Sequence, residues 1–107
     1  MARKEFETLT PQMYYILLVL MKPRHGYEIM SEVSALTNGN INVGPGTLYT
    51  LLSRFETEGY IRLDSVVDKK KIYIITSFGK KKLKLETERI LMQVQHYNEI
   101  FDMDEKG

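Results

Sequence analysis

GPGTLYTLLSRFETEGYI, residues Gly44 to Ile61, sets a side-chain-poor entrance in front of a helical repeat. Leu48, Leu51, Leu52 and Phe55 fall at i, i+3, i+4 and i+7, the spacing of one apolar helix face, and Gly59 is placed to end the helix. The opposite face carries Thr50, Ser53 and Thr57, flanked by Tyr49 and Arg54, with Thr47 near the start. Short hydroxyls, a phenol and a guanidinium can lie against base edges or phosphates without like-charge repulsion. The same residues also suit an ordinary solvated face. Proline between two glycines either makes a tight turn between helices or leaves the helix N-terminus open to close approach by an anionic surface.

Beyond Gly59 the period changes from helical to alternating. Ile61 and Leu63 alternate with Arg62 and Asp64, Val66 and Val67 lead into Asp68-Lys69-Lys70-Lys71, and Ile72 to Ile75 returns. This pattern predicts a two-stranded hairpin with a basic tip from Asp68 to Lys71, which needs a surface to pack on. Upstream, Met1 to Leu9 is a polar, mixed-charge arm, and Thr10-Pro11 supplies a capping hydroxyl followed by proline at the first helical position. That helix is expected to run to Met21 or Lys22, stopping before Pro23. Its segment MYYILLVLM, Met13 to Met21, is apolar nearly all round, so either its own domain or a partner subunit must cover more than one side. A second helix is expected from Gly26 to Thr37, with Ile29, Val33 and Leu36 on one face and Asn38-Gly39-Asn40 ending it.

Thr76 is placed to cap a last helix reaching about Met103. Along it Leu83, Thr87, Ile90, Val94, Tyr97 and Phe101 step by fours and threes, a coiled-coil-like seam. A helix of that length overhangs so small a body, which points to a homodimer; folding back onto its own domain is the alternative. Three helices followed by a basic hairpin describe a mainly α fold, a winged helix-turn-helix whose third helix enters the DNA major groove. The expected division is a winged-helix DNA-binding domain over 1–76, then a C-terminal dimerisation helix and tail over 77–107.

The chain of 107 residues is long enough for one domain and too short for a large catalytic cleft, and 43% hydrophobic with 27% charged residues is a globular balance. With no cysteine, disulfides, thiolate zinc sites and thiol catalysis are excluded, and His25 and His96 are too few for a metal cluster. No catalytic Ser/His/Asp set is visible, and Gly44-Pro45-Gly46 lacks the lysine and spacing of a nucleotide-binding loop, so neither an enzyme nor a cofactor is expected. The run from Met13 to Met21 is too short to span a membrane, and no signal peptide is read, which suits a cytoplasmic protein. The net charge of +1 hides an asymmetry. Arg62 to Lys84 holds eight basic residues against Asp64 and Asp68, whereas Leu85 to Gly107 holds Arg89 and Lys106 against six acids. The basic part fits a polyanion partner; a solvated lysine-rich face beside an acidic tail is the other reading.

GPGTLYTLLSRFETEGYI, preceded by HGYEI and followed by KKIYIITSFGKK, resembles the PadR family of winged-helix transcriptional regulators, over Leu9 to about Phe101. The size and single last helix are similar to the family's short subgroup. The resemblance implies a dimeric, ligand-responsive repressor on a partly palindromic double-stranded operator. It assigns Thr47, Tyr49, Thr50, Ser53 and Arg54 to the DNA-reading helix and Lys69, Lys70 and Lys71 to the wing tip. It also implies a dimer interface of Leu17, Ile90, Val94, Tyr97 and Phe101. A pocket for a phenolic acid or hydrophobic cation is implied at the dimer interface, between first and last helices, lined by Met13, Tyr14 and Leu17 with Gln93, His96, Tyr97 and Glu99. Two departures stand out: the wing tip has no glycine, and Ile72 replaces a frequent tyrosine. A winged-helix module that binds protein or RNA, without an operator, is the alternative function.

Overall fold

The computed structural model describes residues 8–106, so most of the expected N-terminal arm lies outside the described residues. The elements follow in the order α1 (Pro11–Val19), β1 (Arg24–His25), α2 (Gly26–Leu36), α3 (Pro45–Glu58), β2 (Ile61–Val67), β3 (Lys70–Ile75) and α4 (Ser77–Lys106). Three helices, a small antiparallel sheet of order β1-β3-β2 and a long last helix make a winged helix-turn-helix with an extension.

Thr10 caps α1, its hydroxyl accepting from the Met13 N–H at 3.2 Å, with Pro11 at the first helical position. The helix ends two or three residues before the expected Met21 or Lys22. The Leu20 carbonyl accepts the Ile75 N–H at 2.8 Å, and Arg24 Nε donates to the Val19 carbonyl at 2.9 Å. Two carbonyls near the helix end are thus taken by the sheet and by a cation, which draws the chain into β1. β1 itself was not expected; it pairs Arg24 with Tyr73 and His25 with Ile72.

The core gathers Ile16, Leu17 and Leu20 of the first segment, Ile29 and Val33 of α2, and Leu48, Leu52 and Phe55 of α3. Tyr60, Ile61, Tyr73 and Ile75 extend it under the sheet, and Leu83 joins it from α4. Leu36, expected on the buried face of α2, is exposed: it is the last helical residue before the chain reverses through left-handed Asn38 and Gly39. The loop that follows contributes Val43 and half-buried Ile41 to the core. Gly59, at φ 84°, ends α3 in the left-handed conformation that glycine adopts without steric cost.

The hairpin tip is tighter than the sequence suggests. Only Asp68 and Lys69 form the turn, while Lys70 and Lys71 belong to β3, opposite Val67 and Val66. Register shifts between Leu63 and Ser65, so that Asp64 has no partner across the ladder. Such a bulge re-aims the side chains beyond it, and both Val66 and Val67 are exposed.

Thr76 opens α4 as a hydrogen-bonding hub. Its hydroxyl accepts from the Gly79 N–H at 3.0 Å and lies 2.6 Å from the Gly59 carbonyl, while its N–H donates to the Tyr60 carbonyl at 2.9 Å. The end of α3 and the start of α4 are therefore fixed to one another.

Candidate nucleic-acid interface

The outer surface of α3 carries the side chains its sequence promised. Thr47, Tyr49, Thr50 and Ser53 are exposed. Arg54 is half-buried, and its Nε donates to Glu58 Oε2 at 3.2 Å, so it must leave an intrahelical ion pair to reach a base edge.

At the head of α3, Gly44 is the cap residue and makes no side-chain hydrogen bond, and Pro45 starts the helix. Neither Gly44 nor Gly46 has a positive φ. A β-carbon added at either position would meet nothing within 4 Å. The backbone does not require glycine here, so a turn that depends on left-handed glycine is excluded, and the space beside both residues is open.

Tyr49 reaches from α3 to the start of α2. Its ring lies directly on Gly26, where a β-carbon would collide with the tyrosine hydroxyl. Gly26 thus allows the two helix ends to approach. The residue before it, His25, caps α2: its Nδ1 faces the Glu28 N–H at 3.5 Å, and Glu28 Oε1 accepts the His25 N–H at 3.0 Å. Sequence reading weighed this histidine only as a metal ligand; the Glu28 three positions after it was the signal of a capping box. Among the described residues no cluster of three or more His, Asp or Glu side chains is arranged to hold a metal.

Tyr49 and the wing lysines meet. A cleft of about 400 Å³ between the start of α2, α3 and the sheet is lined by His25, Gly26, Tyr27, Tyr49, Lys69, Lys70, Lys71 and Tyr73. All three lysines are exposed. Tyr73, which sequence reading placed only in a strand, lies at the inner wall of this cleft. Its hydroxyl is pushed above the ordinary phenol pKa by burial, with the charge of Glu56 and the neighbouring Tyr49 adding to the shift.

The expected dimer and ligand residues are placed differently from one another. Ile90, Val94, Tyr97 and Phe101 lie exposed along α4, with the Tyr97 and Phe101 rings stacked at 5.0 Å. Leu17 has no exposed surface and belongs to the core of its own chain, which removes it from any surface a partner could touch. Met13 is buried in the same core, and Gln93, His96 and Glu99 are exposed on α4. The cleft that does form between α1 and α4 holds about 680 Å³ and is lined by Leu9, Pro11, Tyr14, Tyr15, Thr37, Asn40, Ile41, Arg89 and Ile90. Of the seven expected lining residues Tyr14 alone reaches it, held by a 2.6 Å hydrogen bond to the Thr87 hydroxyl.

Beside that cleft lies an ionic knot. Glu86, 6% exposed, accepts the Leu9 N–H at 3.0 Å and Arg89 at 3.1 Å, with Lys82 Nζ at 3.6 Å. Burial pushes the Glu86 carboxyl up, but the Leu9 N–H and the two cations outweigh it and hold the group below the usual carboxylate value.

A winged helix with an open entrance to α3 and a tyrosine–lysine cleft defines the class of the molecule. The sequence model described as the transcriptional regulator PadR-like family matches residues 16–85, and the chain belongs to that family. Its members are transcriptional regulators, not enzymes. A transcriptional regulator of Clostridium thermocellum is similar at 27% identity and TM-score 0.72, covering 81% of this chain and 89% of that one. A PadR-like transcription factor of Bacteroides fragilis is similar at 26% identity and TM-score 0.69, covering 82% and 87%. An uncharacterized protein of Lysinibacillus sphaericus is 42% identical over 67 residues, which are 59% of this chain and 62% of that protein's length. No helix among the described residues is long and apolar enough to cross a membrane.

Proposed function

We propose that the protein is a dimeric, sequence-specific DNA-binding repressor acting in the cytoplasm, released from a partly palindromic operator by a small hydrophobic or phenolic ligand. The observation that carries this reading is the cleft where Tyr49 of α3 meets Lys69, Lys70 and Lys71 of the wing. It sets a reading helix and a basic strand-turn on one continuous surface, the arrangement a duplex needs when one element enters a groove and another holds the backbone. In this reading residues 1–76 bind DNA and 77–107 dimerise. Thr47, Thr50, Ser53 and Arg54 face base edges or nearby phosphates, and Ile90, Val94, Tyr97 and Phe101 form the dimer seam. The cleft between α1 and α4 is the place for the ligand, since its size falls in the range of small-molecule sites.

The test is binding to the duplex immediately upstream of the protein's own coding region, compared with an unrelated duplex over a range of salt. Lys69→Ala, Lys70→Ala and Lys71→Ala should each weaken both complexes alike and lower the salt slope by about one unit per lost phosphate contact. Thr50→Ala or Ser53→Ala should instead narrow the gap between the two duplexes. Equal binding to single-stranded RNA and duplex, or no binding to either, overturns the proposal in favour of an interaction module.

A further inference from the structure

The inner wall of the tyrosine–lysine cleft contains a hydroxyl with nothing to do inside the protein. Tyr73 is 9% exposed and its ring is part of the core, yet it lines the cleft, and among the described residues its hydroxyl has no hydrogen-bond partner. The ring fills the core while the hydroxyl opens on the cleft, so phenylalanine would pack the same core. With its pKa raised, the group remains a neutral O–H donor at physiological pH.

Most of the polar groups that line the cleft with it are donors, although the Glu56 carboxylate is near enough to add to the rise in its pKa. The Tyr49 hydroxyl sits over Gly26, the lysines at 69, 70 and 71 offer only donors, and the first two N–H groups of α2 have no intrahelical partner. His25 and Glu28 are engaged with each other at the helix cap. An oxyanion with several acceptor oxygens would satisfy the donors and the positive charge together.

We propose that this cleft seats one backbone phosphate of the bound duplex, with the Tyr73 and Tyr49 hydroxyls donating to its oxygens and the wing lysines supplying charge. The proposal rests on the DNA-binding reading above and adds Tyr73 as a residue that fixes the position of the wing relative to the backbone. A phosphate contact carries no sequence information, so Tyr73 acts on affinity and register but not on base preference.

Tyr73→Phe is the decisive variant, because a hydroxyl that opens on the cleft with no internal partner can be lost with little effect on stability, whereas a phosphate donor cannot be lost without effect on binding. The melting temperature of the free protein should stay near that of the wild type. Affinity should fall about tenfold for the upstream duplex and for an unrelated duplex alike, the size of one hydrogen bond to a charged group. The salt slope should remain that of the wild type, since a neutral donor releases no counterion, in contrast to the wing lysine variants. A second readout needs no substitution in the protein. Replacing single phosphates of the upstream duplex by methylphosphonate should reveal one position that costs the wild type about tenfold and costs Tyr73→Phe much less.

A melting temperature that falls in step with affinity gives the hydroxyl a structural role and overturns the proposal, as does unchanged affinity. Competition by inorganic phosphate at constant ionic strength, without any sensitive methylphosphonate position, assigns the seat to a free anion and also overturns it. If the wild type binds no duplex, both readings fall. If it binds and the lysine variants behave as expected while Tyr73→Phe is silent, only the phosphate seat falls.

Discussion

Helices α3 and α4 carry the same kind of apolar repeat and meet opposite fates. In α3, Leu48, Leu52 and Phe55 are 0%, 2% and 0% exposed; in α4, Ile90, Val94, Tyr97 and Phe101 are 39%, 49%, 59% and 48% exposed. Both stripes follow helical periodicity, so the period says that a face is apolar and nothing about what covers it. For α3 the cover is local: α1, α2 and the sheet lie within one short stretch of chain. Helix α4 meets that body as far as Thr87 to Ile90 and then continues for about four more turns with its described side chains exposed. The molecule is accordingly long and thin, 62 × 35 × 21 Å. Apolar surface of this extent on one helix is the form of an interface.

The sharpest way to break the contrast is to damage both stripes. Phe55→Ala should cost about 4 kcal/mol by emptying a filled core site, read as a large drop in melting temperature with loss of the folded baseline. Val94→Asp should leave circular dichroism of the winged-helix part intact and move sedimentation from dimer toward monomer. A Val94→Asp protein that melts as early as Phe55→Ala would mean that α4 folds back onto its own body.

Glu86 stands at the boundary between the two regions, and its effect should be smaller. Glu86→Gln should cost about 2 kcal/mol, less than a fully enclosed pair because solvent reaches Arg89. The pH dependence has a definite sign. The folded-state pKa of Glu86 lies below its ordinary value of 4.5, so its contribution is present above that value and is lost as pH falls through the lowered one. Chemical denaturation across pH 3 to 7 should show a wild-type decline in the acid that Glu86→Gln flattens. An unchanged acid limb would place the coupling of arm and α4 elsewhere.

The smallest effect is expected at the wing. Asp68 and Lys69 hold φ of 51° and 65° in a two-residue turn without glycine. Lys69→Gly should raise stability by about 1 kcal/mol by removing the left-handed penalty, while weakening DNA binding through the lost charge. Thermal unfolding and duplex titration of the same variant check both halves.

These contrasts also mark how far the sequence could be read. The α3 stripe was legible because its partner elements are near in sequence and its ends carry glycine signals. Leu17 was not placed correctly, because a helix that is apolar on every side offers no pattern to separate core from interface. β1 is two residues long, too short for any alternation to appear, and its existence depends on Tyr73 and Ile72 far along the chain. The wing lysines were visible as charge. Their division between turn and strand was not, since it follows from the Asp64 bulge and from a left-handed turn made without the usual residues. Tyr73 read as an ordinary alternating strand residue; its place on the cleft wall appears only once α2 and α3 are brought beside β3.

The emptiness around Gly44 and Gly46 has a practical meaning. A β-carbon at Gly46 would meet nothing within 4 Å, and the residue sits at the mouth of α3. Position 46 is therefore a mounting point: a cysteine placed there would enter a chain that has no other thiol. In the proposed DNA complex, a spin label or photo-crosslinker attached to it would report from the edge of the duplex while the core remained as it is.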